Sequence, residues 1–390
     1  MHIGLVLSKT PSFSETFFNS KIKGLLASGF LVTLFVQKKN ADFNLCKVKV
    51  APKVYRKNYA LQLYWFLVWS FRLLGHLNAV IRFIQLEKQA KRQPMQIYKN
   101  IYNNAHILTT QVDWIHFGFS TLALQSEFVA KSIGAKLTVS CRGYDLDVYP
   151  LKHPNCYQLL WEQVDLVHVI SDYMLVQAYR TGMHAGTPYK VIYPMIDLNK
   201  ITPKTNNSIE HPVRLITIAR LHWIKGLTDV LETLEILKHQ GLGFEYTLIG
   251  DGPEYEALKY ATHQLNLQKD VRFMGELNHS DTLKLLSQSD IYVQYSHSEG
   301  FCNAVLEAQA VGLLCLVSDV GGLSENVIDG QTGWIVTKKS PSLLAEAILK
   351  VLHLPESHID EIRIKAQKRV QETFNLNLQR SQFEEFYNSI

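Results

Sequence analysis

Two basic side chains at a fixed spacing follow a predicted strand in the second half of the chain. Arg220 and Lys225 stand five residues apart in the segment 219–226, where a strand ends and a helix begins. The N–H groups at a helix start favour anions, a guanidinium can bridge two phosphate oxygens, and an ammonium adds a point charge. The pair is therefore a candidate clamp for a diphosphate, and a solvated basic loop is the alternative.

A second segment, Ser298–Glu307, follows the predicted strand Ile291–Gln294 and contains two acids, one near its start and one at its end. A helix predicted from about residue 301 places Glu307 two turns in, and eight residues of helix rise about 12 Å. That exceeds the separation of about 5–9.5 Å between the two carboxylates of a glycosidase. The acids Glu299 and Glu307 could instead hold the two ends of a long ligand, with a helix N-terminus facing an anion between them. This layout matches a sugar, a diphosphate and a ribose; alternatively, Glu299 caps the helix and Glu307 is a surface residue.

A glycine-containing turn, Gly250-Asp251-Gly252-Pro253, connects another strand to another helix. It could be taken for a dinucleotide-binding fingerprint, but the third glycine is missing. Pro253 suits the first turn of a helix. A tight turn into a helix is the more economical interpretation.

These segments can act together only if the fold brings the ends of their strands to one place, and the hydrophobic pattern predicts such a fold. Short apolar runs alternate with helical stretches in two series, separated by the polar stretch 198–212, which predicts parallel sheets covered on both faces. We therefore expect two doubly wound α/β domains with a cleft between them and ligands at the carboxyl ends of the strands. The predicted strands are Ile3–Leu7, Phe30–Val36, Val112–His116, Lys136–Cys141, Leu166–Ile170 and Val191–Tyr193, then Val213–Ala219, Phe244–Ile249, Val271–Met274, Ile291–Gln294, Leu314–Val317 and Trp334–Val336. The pattern also predicts a helical stretch at 57–109, with breaks near Gly75 and Pro94, and a helix at 122–132.

Taken together, the motifs resemble those of retaining glycosyltransferases of family 4, which have the GT-B fold. The likeness covers about residues 213–340 and is weaker in the first half. It is carried by Arg220…Lys225-Gly226, by the turn 248–253, by Glu299 and Glu307 as the ends of E-x7-E, and by the runs 320–325 and 329–334. It implies two Rossmann-like domains facing an interdomain cleft: residues 1–197 bind the acceptor, joined by a C-terminal helix within 374–390, and residues 198–373 bind a nucleotide sugar. The last helix, about residues 376–388, would pack on the first domain.

The resemblance also implies roles for individual residues. Arg220 and Lys225 would neutralise the donor diphosphate, Glu299 would contact the donor sugar, and these three would carry catalysis. Glu307 would bind the ribose hydroxyls. Backbone groups complete the implied donor site: those of Gly252, Gly300, Phe301, Cys302 and Asn303. No protein nucleophile, metal or cofactor is expected.

In the first domain, the resemblance points to an acceptor site made of Glu15, His116, Arg142 and Asp145. Arg142 is a departure, because many relatives have histidine there and an arginine stays protonated and cannot act as a general base. It could instead bind an anionic acceptor. Glu15 could be only part of a helix cap, His116 only a satisfied histidine at a strand end, and the Asp145-Leu146-Asp147 triplet is not assigned a metal.

The expected function is transfer of a sugar from a UDP- or GDP-linked donor to a lipid-linked or polysaccharide acceptor in bacterial surface glycan biosynthesis. The segments of the first domain look most like those of exopolysaccharide or capsule transferases. Two alternatives stay open: an epimerase or phosphorylase on the same scaffold, and a non-catalytic subunit that binds a sugar nucleotide.

Composition and charge limit the remaining possibilities. With 390 residues, of which 47% are apolar, the chain can fill full cores, and its five cysteines form no CxxC pair. No signal peptide or spanning apolar run is visible, so we expect a protein that is either cytoplasmic or peripheral at the inner face of the cytoplasmic membrane. Residues 47–100 hold eleven cations and one acid among many aromatic residues. This pattern indicates either docking on an anionic membrane or a core helix with a solvated basic face. Because no RNA-binding module is visible, no nucleic-acid partner is expected.

Overall fold

The computed structural model describes residues 1–11, 16–55, 57–204 and 208–390. The chain divides into two compact units. The first comprises Met1–Ile170, Met174–Ile192 and Arg380–Ile390, and the second comprises Ser171–Tyr173 and Tyr193–Gln379. The sequence-based limits at 197 and 374 lie within six residues of these divisions.

The first unit is built on a parallel sheet of seven strands in the order β3-β2-β1-β4-β5-β6-β7. Its strands are continuous apolar runs, as expected for a sheet covered on both faces, and the middle of β1 is buried from Ile3 to Leu7. The strands are β1 His2–Lys9, β2 Leu31–Lys38, β3 Lys47–Val50, β4 Trp114–Phe117, β5 Lys136–Cys141, β6 Leu166–Val169 and β7 Tyr189–Val191.

Helices connect these strands, and two sequence predictions about them had different outcomes. The predicted helical stretch 57–109 is present, interrupted near Gly75 and Pro94 as expected. The single helix predicted at 122–132 is wrong: it is two short helices, because Gln125 adopts a left-handed conformation (φ 65°) that a helix cannot contain. The helices are α1 Thr16–Ala27, α2 Tyr59–Leu74, α3 Leu77–Gln89, α4 Pro94–Leu108, α5 Ser120–Ala123, α6 Val129–Ile133, α7 Gly143–Asp147, α8 Tyr149–Lys152, α9 Gln158–Gln163 and α10 Asp172–Arg180.

The second unit has a parallel sheet of six strands in the order β10-β9-β8-β11-β12-β13. The strands are β8 Val213–Ile218, β9 Phe244–Ile249, β10 Val271–Gly275, β11 Ile291–Gln294, β12 Leu314–Ser318 and β13 Trp334–Val336. The helices are α11 Leu227–His239, α12 Tyr255–Gln264, α13 His279–Ser287, α14 Asn303–Val311, α15 Leu323–Asn326, α16 Pro341–Leu352 and α17 Glu356–Thr373, with 3₁₀ turns at Leu198–Lys200 and Trp223–Lys225.

The last helix, α18 Leu376–Asn388, returns the chain to the first unit. Its side chains Phe383, Phe386 and Tyr387 are buried in the same hydrophobic core as the first strand and the first helix. The helix α18 therefore contributes side chains to the same core as β1 and α1.

Within the described residues, no single helix is both long enough and apolar enough to cross a membrane. The helices α2 and α3 reach that length and hydropathy only as a pair, and the pair is bent by 109°.

Candidate functional site

The order of strands in the second unit brings distant parts of the chain together at one edge of the sheet. β8 lies between β9 and β11, so the loops that follow these three strands are neighbours at their carboxyl ends. Between β8 and β11 the order of the strands reverses, and ligands of doubly wound sheets bind at such a switch point. The segments predicted to carry chemistry, 219–226 and 298–307, both start there.

Across this switch point, Lys225 and Glu299 form an ion pair between the ammonium Nζ and the carboxylate Oε2. The two side chains are 18% and 14% exposed, so both charges are shielded from water but reachable. Burial disfavours the charged form of Lys225, yet the Glu299 carboxylate more than offsets this and holds the pKa of the ammonium above its ordinary value. The pair therefore joins a fixed cation to a fixed anion that share one half-buried position.

Close backbone contacts hold the two loops in this register. The Ile224 carbonyl accepts a hydrogen bond of 2.7 Å from the His297 N–H. Gly226, with φ 59°, lies so near the Tyr295 carbonyl that a Cβ would stand 2.1 Å from its oxygen. The His297 ring is also 2.9 Å from a carboxylate oxygen of Asp229. The loop that carries Lys225 can thus pack this closely against the loop of Glu299 only because residue 226 is glycine.

The turn 250–253 packs against the same loop from the other side. Gly250, with φ 137°, would place a Cβ 1.9 Å from the Ala219 carbonyl oxygen, and Gly252 would place one 2.3 Å from that of Leu221. The Gly252 N–H donates to the Asp251 carboxylate at 2.7 Å. The interpretation of this segment as a tight turn accounts for both glycines, and the predicted contact of the Gly252 N–H with a ligand would require displacing Asp251.

The Gly321-Gly322 pair supports Glu299 from behind. A Cβ on Gly321 would stand 2.0 Å from the Glu299 carbonyl oxygen, and one on Gly322 would stand 2.1 Å from that of Gly300. The Gly322 N–H donates to the same Glu299 carbonyl at 2.9 Å. The backbone that carries the acid is therefore fixed by a neighbouring strand-end loop.

The helix predicted to begin near residue 301 begins at Asn303, which corrects the prediction by two residues. Asn326 accounts for the difference, because its side-chain amide accepts from the Cys302 N–H at 2.9 Å and donates to the Cys302 carbonyl at 3.0 Å. This holds Cys302 in an extended conformation just before the helix. Phe301 is buried, and burial raises the pKa of the Cys302 thiol to about 12, so the thiol stays protonated.

Glu307 occupies the fifth position of α14 and pairs with His279, which sequence reasoning did not single out. The His279 Nε2 lies 2.8 Å from a Glu307 carboxylate oxygen. The hydrogen bond that the His279 Nε2–H donates to the Glu307 carboxylate holds the pKa of His279 above its ordinary value. A surface cavity of about 560 Å³ is lined by His279 together with Lys200, Thr202 and Lys284. No spacing or motif links His279 to Glu307, because α13 and α14 become neighbours only in the fold.

Arg220 is exposed and, within the described part of the chain, makes no hydrogen bond or ion pair. It lies one residue beyond Ala219, whose carbonyl is covered by Gly250. Its cationic group is thus presented to solvent at the same strand-end edge as the Lys225 ammonium. The clamp residues are therefore placed differently: one is exposed and the other is paired in a half-buried position.

In the first unit, His116 is fully buried rather than placed at the surface. One ring nitrogen lies 2.6 Å from the Tyr387 hydroxyl and the other lies 2.7 Å from the Ser140 hydroxyl, and the Lys21 ammonium lies 3.2 Å from the ring. Burial, together with the nearby Lys21, holds the pKa of His116 well below its ordinary value. In this structure both ring nitrogens have partners in the core, which leaves none for an acceptor.

Asp145 and Arg142 are also held by neighbouring groups. The Asp145 carboxylate accepts hydrogen bonds of 3.0 Å from the Ser120 N–H and from the Thr121 hydroxyl, so it caps α5. Burial raises the pKa of Asp145 to about 6, although these hydrogen bonds oppose the shift. This corrects the expectation that Asp145 is open to an acceptor, since its carboxylate is buried and engaged.

Arg142 lies among aromatic rings. Its guanidinium carbon is 4.0 Å from the centre of the Phe17 ring, and its Nε donates to the Gly118 carbonyl at 3.1 Å. Burial lowers the pKa of Arg142 to about 10, which still leaves a cation at neutral pH. The remaining residue of the predicted acceptor set, Glu15, lies outside the described residues.

Comparison with known proteins finds a family that the second unit resembles. Residues 199–369 match the family model for glycosyl transferases group 1. The amylovoran biosynthesis glycosyltransferase AmsK of Erwinia amylovora is 28% identical over 68% of this chain and 66% of its own length. The putative colanic acid biosynthesis glycosyltransferase WcaL of Salmonella typhimurium is 26% identical over 56% of this chain and 55% of its own length. The aligned part thus spans between about half and two-thirds of these curated relatives.

Among solved structures, the whole chain superposes on the Anabaena protein HepE in complex with UDP-glucose, with a TM-score of 0.75 and 17% identity over 100% of both chains. It also superposes on the sucrose-phosphate synthase of Thermosynechococcus elongatus, with a TM-score of 0.72 and 18% identity over 100% of this chain and 98% of that one. These likenesses confirm the predicted GT-B fold, and the family match confirms the predicted glycosyltransferase domain. Over residues 199–369, the chain is thus similar to the glycosyl transferases group 1 family.

Proposed function

We propose that the chain is a retaining glycosyltransferase of family 4. It moves a sugar from a UDP- or GDP-linked donor to a lipid-linked or polysaccharide acceptor in bacterial surface glycan biosynthesis. The observation that carries the proposal is the Lys225–Glu299 pair at the switch point of the second sheet. The names of AmsK and WcaL support the biosynthetic setting, and the UDP-glucose in HepE supports the class of donor.

The two cations act on the leaving group. As the bond between the anomeric carbon and the phosphate oxygen breaks, negative charge grows on the nucleoside diphosphate. Lys225 is held in place and half-buried, so it stabilises that charge more strongly than a cation in water could. The exposed Arg220 adds a guanidinium that can donate two hydrogen bonds to the phosphate oxygens. The diphosphate competes with Glu299 for the ammonium, and this frees the carboxylate for a hydroxyl of the donor sugar.

The remaining donor contacts come from α14 and the loop before it. Backbone N–H groups of Gly300, Phe301 and Asn303 lie at the start of a helix, where anions are favoured, whereas the Cys302 N–H already donates to Asn326. Glu307, one turn further into α14, binds the ribose hydroxyls in place of, or together with, His279. The acceptor oxygen attacks the anomeric carbon from the face that the diphosphate leaves, and a donor phosphate oxygen takes its proton. No protein nucleophile, metal or cofactor takes part.

The test is incubation of the purified chain with UDP- and GDP-sugars, a panel of lipid-linked and glycan acceptors, and a chelator in half of the reactions. We expect nucleotide release that depends on acceptor and is unchanged by the chelator, with the product linkage of the same anomeric configuration as the donor by NMR. An inverted linkage would reject retention, and loss of activity with chelator would reject the metal-independent mechanism.

A non-catalytic sugar-nucleotide-binding subunit is a second candidate, favoured by one observation. Arg142, where many family 4 enzymes have histidine, is packed against Phe17 and cannot accept a proton. Binding of UDP or GDP without turnover across the whole panel would support this candidate and reject the enzyme.

A further inference from the structure

The helix α2 presents an apolar row to solvent. Its sixteen residues, YALQLYWFLVWSFRLL, contain one charged side chain, and of these residues, all described by the structure, Leu73 alone is buried. Spacings of three and four place five large side chains on one face of the helix. We call this row the α2 stripe; its members and exposed fractions are Tyr59 84%, Leu63 59%, Leu67 60%, Phe71 77% and Leu74 57%. A contiguous exposed row of this kind marks an interaction surface.

The opposite face of α2 holds the helix on the first unit. Leu73 is buried, the Phe66 ring stacks on Tyr102 of α4 with 6.2 Å between centres, and the Gln62 side chain accepts from the Tyr55 N–H at 2.8 Å. A helix of sixteen residues is about 24 Å long, less than the roughly 30 Å of a bilayer's hydrocarbon core. Helix α2 is therefore suited to lie on a surface rather than to cross it.

The exposed charges on α2 and α3 are all of one sign. Exposed cations stand on α2 at Arg72 and on the exposed face of α3 at Arg82 and Lys88, beside the exposed Leu77 and Ile81. The single acid of residues 57–100, Glu87, is fully buried, 2.9 Å from the Asn100 amide and 3.4 Å from Arg92. The exposed faces of α2 and α3 thus offer cations and apolar side chains but no carboxylate.

We propose that the α2 stripe inserts into the interface of an anionic lipid bilayer, with Arg72, Arg82 and Lys88 against the lipid headgroups. Apolar and aromatic side chains on one face with flanking cations are what an interfacial helix requires. A second copy of the chain is a poorer occupant, because a symmetric contact would bring the same cations face to face. The proposal does not rest on the proposed function, because lipid binding is measured without any sugar.

The first test is co-sedimentation of the full chain with phosphatidylcholine vesicles that contain either no anionic lipid or about 30% phosphatidylglycerol. We expect binding to the anionic vesicles that weakens between about 50 mM and about 500 mM NaCl. The triple variant Leu63→Ser, Leu67→Ser, Phe71→Ser should bind at least tenfold more weakly. Its matched control, Leu151→Ser, Tyr260→Ser, Ile364→Ser, removes side chains that are 79%, 67% and 63% exposed elsewhere and should bind like the parent.

The second test removes charge instead of apolar surface. Arg72→Gln, Arg82→Gln and Lys88→Gln together should weaken binding by about fivefold per cation, which corresponds to about 1 kcal/mol each, and should reduce the salt dependence. The control replaces three exposed lysines, Lys269, Lys338 and Lys368, with glutamine. Thermal melts verify that every variant is folded.

Three outcomes would overturn the proposal. The parent could fail to bind anionic vesicles, the α2 stripe variant could bind as well as its control, or the chain could form a dimer that the stripe variant abolishes while vesicles are ignored. The last outcome would assign the stripe to a contact between copies. None of these outcomes bears on acceptor-dependent nucleotide release, so failure here and failure of the proposed function are distinguishable.

Discussion

Lys225 and Glu299 are 74 positions apart in the sequence and share one half-buried ion pair. Breaking such a pair leaves a charge with reduced hydration and no partner, so each residue stabilises the other. At a site for an anionic ligand the same arrangement has a second effect, because the ammonium is held in place before the ligand arrives. A positioned cation contributes more to a charged transition state than one that must first be ordered.

For Lys225→Ala we expect kcat to fall by about 100- to 1,000-fold, or about 3–4 kcal/mol, because the charge that stabilises the leaving diphosphate is lost. Steady-state kinetics measures this, with Lys338→Ala, which removes an exposed lysine of the same unit, as the control. A kcat equal to that of the parent would contradict the role assigned to Lys225.

His279 makes stability depend on pH. Its folded-state pKa is raised by Glu307, so its contribution is complete below the unfolded pKa of about 6.5 and is lost as the pH rises through the higher folded value. We expect His279→Gln to lower Tm more at about pH 5.5 than at about pH 9. Scanning calorimetry of parent and variant at both pH values tests this; a Tm difference that is the same at both, or larger at high pH, would show that the histidine does not act through its charge.

At the scale of elements, the candidate site is a set of strand-end loops packed backbone to backbone. Gly226, Gly250, Gly321 and Gly322 each approach a carbonyl of a neighbouring loop so closely that a Cβ would lie 1.9–2.1 Å from its oxygen. Real Cβ atoms do not approach an oxygen this closely, so a side chain at these positions must push two loops apart. Lys225 and Glu299 would then lose their register.

Gly321→Ala tests this contact. Gly330→Ala is its matched control: the two glycines have φ 53° and 67°, but a Cβ at Gly330 meets nothing within 4 Å. Both variants carry the cost of a left-handed alanine, about 1 kcal/mol, and only Gly321→Ala adds the collision with the Glu299 carbonyl. We expect Gly321→Ala to cost about 1–3 kcal/mol more in the free energy of unfolding and to lose donor binding. Equal thermal melts and equal nucleotide affinity for the two variants would contradict this.

At the scale of the whole molecule, α18 connects the end of the chain to its beginning. Tyr387 bonds to His116 of β4, and Phe383 lies under the Lys21 ammonium, 4.1 Å from its ring centre. Lys21 is itself buried, and burial, with Arg142 nearby, holds its pKa well below its ordinary value. The first unit therefore has a polar network inside its core to which the last helix contributes the hydroxyl.

Phe386→Ala should therefore destabilise the first unit, although residue 386 lies at the far end of the sequence. The Phe386 side chain is 0% exposed, and its loss should lower the free energy of unfolding by about 3–5 kcal/mol. Hydrogen exchange should show reduced protection of β1. Phe71→Ala, at a side chain that is 77% exposed, removes the same group and should leave the exchange of β1 unchanged. Unchanged protection in Phe386→Ala would mean that α18 is not needed for the core.

Some properties of this protein follow from its sequence because they depend on local order. Alternating apolar runs predicted both parallel sheets, since a strand buried on two faces must be continuously apolar. The breaks near Gly75 and Pro94, the bounds of α18 and the turn at 250–253 follow from the properties of glycine and proline and from helical periodicity. The roles of the charged residues in 220–307 as ligand contacts stay predictions, although the segments that carry them do share one edge of a sheet.

Tertiary structure alone decided which polar groups satisfy one another. His279 faces Glu307, Asn326 fixes the start of α14, and His116 and Asp145 are engaged inside the first unit. A residue type and its spacing limit what a side chain can do, but its partner depends on which elements pack together, and that depends on long-range contacts that no local pattern records. The exposure of the α2 stripe was also decided by the tertiary structure. The sequence of a helix that is apolar all round does not predict whether its outer face contacts protein, lipid or water.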